Sequence, residues 1–113
     1  MKKENTITKN KDFRKVYSKG TSCSDYNLVL FVYQRNRENK RFGVTTAKKI
    51  RKAVTRNKVR RRLKEIIRKY KDQVKDGYDI VVMCRLTGKD SDFSDLEKSY
   101  VRLLKKSKVW KKE

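Results

Sequence analysis

Residues 48–70, KKIRKAVTRNKVRRRLKEIIRKY, constrain the fold more than any other part of the chain. Positions 48–64 carry ten basic residues in seventeen and no acidic residue. The apolar residues nevertheless recur at helical spacing, and they are Val59, Leu63, Ile66, Ile67, Tyr70 and Val74. We therefore expect a helix over about residues 56–73, with Thr55 as its N-cap and its end before Asp76-Gly77.

The solvent face of this helix is predicted to be cationic. At 100° per residue, the side opposite the apolar stripe carries Asn57, Arg61, Lys64 and Arg68. Like charges at i,i+4 destabilise a helix by about 0.2–0.5 kcal/mol per pair, and an ordinary solvated helix mixes signs. A merely solubilising charged face is the alternative, but the uninterrupted positive charge favours a helix that faces a polyanion.

A short amphipathic helix is expected before this segment. Phe13, Val16 and Tyr17 follow the candidate N-cap Asn10 at helical spacing, and Gly20 stands where a helix commonly ends. The pattern predicts a helix over residues 11–19 with an aromatic stripe.

Residues 27–34, NLVLFVYQ, read as a strand that is apolar on both faces. Leu28, Leu30 and Val32 share one face, and Val29, Phe31 and Tyr33 share the other. The polar residues 35–40 are expected to form a hairpin connection to a return strand over residues 41–46. Residues 79–85, DIVVMCR, are expected to form a buried strand.

The last helix is expected to open with a capping box from Ser94 to Glu97 and to bury Leu96, Tyr100, Leu103 and Leu104. The fold class is thus α+β: one domain over residues 1–113, a two-layer sandwich of helices on a small mixed sheet in the order αβββαβα. Residues 1–9 and 109–113 are expected to be loose.

The charge points to nucleic acid. The net charge of +21 on 113 residues destabilises the compact chain by self-repulsion, which phosphate contacts would relieve. An anionic membrane surface is the rival partner, but the apolar face lacks the bulky aromatics of a membrane-surface helix. No apolar run approaches a membrane span, and the N-terminus lacks the apolar core of a signal peptide. We expect a cytoplasmic protein in which Cys23 and Cys84 are reduced.

Aromatic side chains form a second candidate binding set. Phe13 and Tyr17 share a helix stripe, and Phe31 and Tyr33 share a strand face. Single-stranded nucleic acids bind basic grooves whose aromatic rings stack on bases. Burial of the same rings in a core is the alternative, and it is about equally favoured for each ring.

The sequence offers no catalytic set. It contains no histidine, and two cysteines sixty-one positions apart cannot alone form a metal site. Asp90, Asp92 and Asp95 could hold Mg²⁺, but acidic residues are favoured before a helix in any case. We expect no catalytic residue and no metal ligand in the polypeptide.

At this point the residues resemble a known family. KKIRKAVTRNKVRRRLKE is similar to the signature of the bacterial ribonuclease P protein component, roughly S-K-K-x-G-N-A-V-x-R-N-R-x-K-R. NKDFRKVYSKG, NLVLFVY and RFGVTTAKK resemble the first helix, the main strand and the strand before the signature helix, so that the similarity covers almost the whole chain.

The signature has departures. Ala47 replaces the usual serine, Arg51 and Lys52 replace Gly-Asn, and Lys58 replaces the second arginine of R-N-R. Lysine lacks the planar fork of arginine, so a point contact to phosphate is expected at Lys58. Arg62 stands where a leucine is common. None of these changes removes positive charge.

The resemblance implies the protein subunit of a ribonucleoprotein in which an RNA, working with Mg²⁺, removes the 5′ leader of precursor tRNA, while the polypeptide alone is inactive. It implies leader binding by Phe13, Tyr17 and Phe31, and we expect Tyr33, on the same strand face as Phe31, to join them. It implies binding of the catalytic RNA by Lys48, Arg56, Asn57, Arg61 and Lys64. We expect the other cations of the segment to contribute to the same binding, namely Lys49, Arg51, Lys52, Lys58, Arg60 and Arg68. It also implies a left-handed βαβ crossover, against the usual right-handed rule.

Three other readings stay open at this stage. A ribosomal or other structural RNA-binding protein would share the charge but would not need a stacking cleft. A DNA-binding module would need a helix-turn-helix pairing or a dimer, and neither is visible. A free-standing nuclease would need a general base or paired carboxylates, which the sequence does not offer.

Overall fold

The computed structural model describes residues 5–35 and 38–111. Within them the elements follow in the order α1 (Asn10–Lys19), β1 (Thr21–Ser24), β2 (Leu28–Gln34), β3 (Arg41–Thr46), α2 (Ala53–Tyr70), β4 (Tyr78–Cys84) and α3 (Phe93–Lys106). The predicted order αβββαβα and the α+β class are confirmed. The short strand β1 is the one whose bounds the sequence patterns did not indicate.

The four strands form one mixed sheet in the order β1-β2-β4-β3. β2 pairs with β4 antiparallel, and β3 pairs with β4 parallel. The predicted hairpin between β2 and β3 is therefore wrong, because β4 lies between them. Ile80, Val81 and Val82 are buried on both sides of β4, and a strand of this kind belongs in the interior of a sheet. Part of the connecting segment, residues 36–37, lies outside the described residues.

The parallel pair β3 and β4 is joined through α2, which makes a βαβ crossover. Its left-handed sense stays a prediction. The loop over residues 47–52, between β3 and α2, is anchored to the end of β4. Ala47 N donates to Cys84 O at 2.9 Å, and Ile50 is buried.

The main core lies between the sheet and helices α2 and α3. Leu28, Leu30 and Val32 alternate into it from β2, as predicted. The predicted helix residues Val59, Leu63, Ile66, Ile67 and Val74 from the α2 side and Leu96, Tyr100, Leu103 and Leu104 from α3 are all buried in it. Only Tyr70 of the predicted apolar stripe remains half-exposed.

Helix α2 begins earlier than predicted. It starts at Ala53 with Lys52 as the N-cap, without a side-chain capping bond, and Thr55 lies inside it. Ala53 is a strong helix former, and burial of Ile50 holds the preceding turn, so the helix does not need the Thr55 hydroxyl to begin. The predicted residues after Tyr70 form a separate 3₁₀ turn, Lys71–Gln73.

Helix α1 starts at Asn10, with Lys9 rather than Asn10 at the N-cap. Gly20 ends it, as predicted, but with φ of −84°, outside the left-handed region. A Cβ at Gly20 would lie 2.5 Å from Val32 O and 2.6 Å from Val16 O. The glycine is therefore required by the close approach of the helix end to β2, and not by its own dihedral angles.

Helix α3 is capped differently from the prediction. Asp92 is its N-cap and accepts a hydrogen bond from Asp95 N at 2.8 Å, and Ser94 lies inside the helix. Glu97 does not turn back to the cap, because it accepts hydrogen bonds from Lys69 and Tyr70 of α2 instead. In the pair with Lys69 both partners are ionised, whereas a capping bond from Glu97 would have a neutral backbone N–H as its donor.

The expectation of loose ends is wrong for the described terminal residues. Ile7 is buried and donates its N–H to Phe42 O at 2.8 Å. At the other end Val109 is buried, and Lys111 N donates to Gln73 O at 2.6 Å. The apolar side chain of Ile7 packs beside the edge strand β3, and that of Val109 packs beside α3. The outermost residues, 1–4 and 112–113, lie outside the described residues.

Candidate nucleic-acid interface

Helix α2 presents a cationic stripe to solvent. Asn57, Arg61, Lys64 and Arg68 are all exposed, on the side of the helix away from its buried apolar residues. We call these four residues the α2 stripe. Arg68 forms an exposed pair with Glu65, whose carboxylate oxygen lies 2.5 Å from the Arg68 Nη1. Arg61 and Lys64 form no ion pair with the described residues, so phosphates can approach them.

The other cations predicted to bind RNA lie at the start of α2 and before it. Lys48, Lys49, Arg51, Lys52 and Lys58 are all exposed. They surround the helix N-terminus, whose first turn has no acidic residue. The partial positive charge of a helix N-terminus adds to the attraction for anions there.

Arg56 has a structural task in addition to its predicted role. It is half-buried, and its Nη1 donates to Ile50 O at 3.1 Å and to Arg51 O at 2.6 Å. These bonds brace the turn that carries Arg51 and Lys52. Replacing Arg56 would therefore disturb the neighbouring cations as well as remove its own charge.

An aromatic groove lies on the other face of the sheet. The Tyr17 and Phe31 rings meet edge-on with centroids 4.8 Å apart, and Phe13 lies 6.3 Å from Tyr17. Tyr17 is 41% exposed. A shallow hollow of about 400 Å³ opens beside these rings, lined by Asn10, Phe13, Arg14, Tyr17, Val44, Thr45 and Arg60. We call this hollow, together with Phe31, the aromatic groove.

The sheet register explains the groove. Phe31, Val81 and Gly43 stand side by side on β2, β4 and β3. A Cβ at Gly43 would come within 2.8 Å of the Phe13 ring. The missing side chain therefore leaves room for the Phe13 ring of α1 against β3.

Arg60 lies at a different surface from the one predicted for it. The sequence grouped it with the cations for the catalytic RNA, but its side chain lines the aromatic groove beside Phe13 and Tyr17. Asn10 and Arg14 line the same hollow and were missed. Their spacing, i and i+4 with Phe13 and Tyr17 at i+3 and i+7, is the signal that could have found them.

Tyr33 packs against the same small buried cluster as Phe13 and Phe31, but it faces a different hollow. It lines a neighbouring polar hollow with Asp12, Lys15, Arg35, Arg41 and Asp79. Lys15 Nζ stands 5.8 Å from the Tyr33 ring centroid. The structure thus brings the four predicted aromatic residues to one face of the sheet, with Tyr33 beside the polar hollow and the other three beside the aromatic groove.

The polar hollow is built on a buried ion pair. Asp79 is 2% exposed and accepts two bonds from Arg41, Nε to Oδ1 at 2.9 Å and Nη2 to Oδ2 at 2.8 Å. Arg35 Nε lies 2.8 Å from Asp79 Oδ1. Hydrogen bonding to Asp79 raises the pKa of Arg41. The cluster keeps a net positive charge next to Tyr33.

Burial raises the pKa of the Tyr17 phenol, with hydrogen bonding to Thr45 opposing the shift. The phenol is thus neutral at neutral pH and adds no negative charge to the groove. Burial also raises the pKa of the Cys84 thiol to about 11. Cys23 and Cys84 are both free cysteines.

Among the described residues, no three His, Cys, Asp or Glu side chains group closely enough to hold a metal ion. In the same part of the chain, no helix has both the length and the apolar character needed to cross a membrane.

A cationic helix beside a half-buried aromatic groove, on a small α+β scaffold, defines a nucleic-acid-binding protein. Comparison with known proteins narrows the class. The family described as Ribonuclease P matches residues 1–108 of this chain. The ribonuclease P protein component of Clostridium botulinum (strain Loch Maree / Type A3) is 43% identical over 109 residues, which cover 96% of this chain and 98% of that protein.

Solved structures agree. The Staphylococcus aureus RNase P protein superposes with a TM-score of 0.84 at 31% identity, covering 94% of this chain and 97% of that one. The Thermotoga maritima RNase P protein superposes with a TM-score of 0.80 at 28% identity, covering 89% and 96%.

The chain belongs to the ribonuclease P protein family. It is the protein subunit of an endoribonuclease ribonucleoprotein that acts in tRNA processing, and its partners are ribonuclease P RNA and precursor tRNA. This assignment replaces the structural RNA-binding protein, the DNA-binding module and the free-standing nuclease as readings of the sequence.

Proposed function

We propose that two surfaces of the protein bind two different RNA partners. The α2 stripe, with the cations before it, binds the catalytic RNA, and the aromatic groove binds the 5′ leader of precursor tRNA. The observation that carries this proposal is the juxtaposition of the two surfaces. Arg60 projects from α2 into the groove, so a strand in the groove passes beside whatever the helix binds.

The groove suits a single strand of RNA. Tyr17 and Phe31 offer ring surface, and Arg14 and Arg60 stand on the rim for phosphates. Base stacking on an aromatic side chain is worth about 1–3 kcal/mol per base and tolerates any sequence. A subunit that must handle many different leaders needs this kind of contact rather than base-specific hydrogen bonds.

The α2 stripe suits structured RNA. Its exposed cations repel one another in the free protein, and phosphates of a folded RNA offset that repulsion and release counterions. We propose Lys48, Lys49, Arg51, Lys52, Asn57, Lys58, Arg61, Lys64 and Arg68 as contacts to the catalytic RNA. Arg56 supports them by bracing the turn, and Arg60 serves the leader side.

We assign the chemistry to the RNA partner. Mg²⁺ acts with that RNA, and the polypeptide alone does not cleave precursor tRNA; the sequence has no histidine to serve as general base. The cytoplasm is the proposed location, since tRNA is processed there and both thiols are free.

Reconstitution tests the proposal. Nucleic-acid-free protein is mixed with a bacterial ribonuclease P RNA and precursor tRNA at low Mg²⁺, and release of the 5′ leader is followed. We expect the protein alone to be inert and to raise cleavage by the RNA. A protein that binds both RNAs without changing cleavage would contradict the proposed roles.

A double variant tests the α2 stripe. Arg61→Ala with Lys64→Ala should weaken binding to the ribonuclease P RNA and lower the slope of log affinity against log salt by about 2, one for each lost phosphate contact. Lys71→Ala with Lys75→Ala is the matched control, since both are exposed lysines outside the stripe. An equal loss in the control would show that net charge alone drives binding.

A further inference from the structure

A further hollow, separate from the aromatic groove and the polar hollow, lies between helix α2 and the start of α3. It has a volume of about 390 Å³ and is lined by Val54, Lys58, Arg61, Arg62, Glu65 and Phe93. We call it the Phe93 hollow. Five of its residues stand at i, i+4, i+7, i+8 and i+11 on α2 and form one wall. Phe93, the first residue of α3, forms the other wall.

The hollow exposes apolar surface that the fold does not need. Phe93 is 38% exposed and Val54 is 78% exposed, and neither belongs to the buried core clusters. Single exposed apolar side chains are common on a protein surface, but here two of them line the same hollow beside cations, which suits a partner with an apolar face and a negative charge. Contact of the Phe93 ring with water is unfavourable in the free protein, and a base stacked on the ring would remove that contact.

The Phe93 ring is held in place before any partner arrives. Arg62 Nη1 donates to Ser91 O at 2.9 Å, which ties the loop before α3 to α2. Asp92 caps α3 directly before Phe93, and Ser91 Oγ donates to Asn27 Oδ1 at 2.9 Å. A prearranged ring loses little conformational freedom on binding. Arg62, which departs from the leucine common in the family pattern, is the residue that sets this spacing.

The charges around the hollow are asymmetric. Lys58, Arg61 and Arg62 lie on the α2 wall, and the Glu65 carboxylate at its end is paired with Arg68. Asp92 and Asp95 lie on the α3 side, beyond Phe93. A phosphate is therefore favoured against α2 and disfavoured against α3, whereas an uncharged base is favoured against the Phe93 ring.

We infer that the Phe93 hollow binds one unpaired nucleotide of the ribonuclease P RNA, with its base on the Phe93 ring and its phosphate between Lys58 and Arg61. The inference rests on the proposed function, because Arg61 belongs to both the hollow and the α2 stripe, and the hollow continues that surface. The contact to this base adds to the phosphate contacts along α2. Because it lies to one side of the α2 stripe, it would fix the orientation of the RNA about the helix axis.

Affinity measurements with Phe93→Leu test the inference. With full-length protein and ribonuclease P RNA without substrate, we expect affinity to fall by roughly tenfold, the loss of one stacked base. The slope of log affinity against log salt should stay unchanged, since no charge is removed. Tyr26→Leu is the matched control, because Tyr26 is 71% exposed, and it should bind as the unchanged protein does.

Phe93→Trp supplies a direct readout. The variant should keep its affinity, and its added fluorescence should be quenched by the RNA more strongly than that of Tyr26→Trp, with Trp110 as a common background. Unfolding midpoints of all variants show whether Phe93→Leu is folded. A Phe93→Leu variant that does not fold leaves the quenching comparison to decide.

The outcomes separate the two proposals. If Phe93→Leu binds normally and Phe93→Trp is not quenched, while Arg61→Ala with Lys64→Ala still weakens binding, the inference is overturned and the α2 stripe stands. If none of these variants weakens binding, both proposals are overturned. A changed salt slope in Phe93→Leu, or concentration-dependent self-association that Phe93→Leu abolishes, would also overturn the inference.

Discussion

The two faces of strand β2 are built from equally apolar residues but have different tasks. Leu28, Leu30 and Val32 lie under helices α2 and α3 and are buried. Val29, Phe31 and Tyr33 lie on the face that α1 and the N-terminal residue Ile7 cover, and all three stay half-exposed. The difference lies in the cover, because two long helices hide one face and a ten-residue helix hides part of the other. Apolar residue types therefore do not distinguish the core face of the strand from the binding face. The elements packed on each face decide which face is buried and which is left open to a ligand.

The comparison breaks down at Asp79, which lies on the α1 side but is buried with Arg41 and Arg35. Asp79→Ala should destabilise the protein by up to about 3–5 kcal/mol, because it removes the buried carboxylate that pairs with two partly buried guanidinium groups. Urea unfolding measures this change. Asp12→Ala, whose carboxylate lies 3.5 Å from Arg41 at a more exposed position, is the control and should cost far less. Equal losses would show that the Asp79 pair is not the stabilising one.

Leu30→Ala tests the covered face directly. Leu30 is fully buried, so we expect a loss of about 2–5 kcal/mol in the free energy of unfolding. The matched variant Val29→Ala, next along the strand but half-exposed, should lose clearly less. The comparison of the two faces would be wrong if both variants unfolded at the same urea concentration.

Phe31→Leu tests the open face. Losing one stacked base should weaken binding of precursor tRNA by the assembled ribonucleoprotein by about 1–3 kcal/mol. Binding of mature tRNA, which has no leader, should change little. Titration of both substrates with the same preparation measures the difference. An equal loss for both would assign Phe31 to the core.

Sulfate tests the exposed side of α2. An anion that binds the folded state stabilises it, by about 1.4 kcal/mol at ten times its Kd. The urea midpoint should rise more in sodium sulfate than in sodium chloride of equal ionic strength. The excess should shrink in Arg61→Ala with Lys64→Ala. An unchanged midpoint in sulfate would contradict the idea that self-repulsion on α2 is relieved by anions.

Periodicity was enough to predict the three helices, strands β2, β3 and β4, and the buried sides of α2 and α3, but not the short strand β1. The α2 and α3 core residues lie where helical spacing put them, and β2 alternates as expected. Helix ends were less predictable, because capping choices depend on neighbours. Glu97 pairs with Lys69 across the α2–α3 contact, and no local pattern contains that partner.

Residue type and spacing along single elements were sufficient to predict the α+β class, the cationic side of α2 and the candidate aromatic residues, because none of these depends on how the elements pack together. Tertiary structure alone decided that β4 separates β2 from β3. It also decided that Arg60 faces the groove, that Tyr33 faces the polar hollow and that Phe93 meets α2. Each of these depends on which elements pack together, and that choice is made by burying β4 on both faces, a requirement of the whole chain rather than of any one segment.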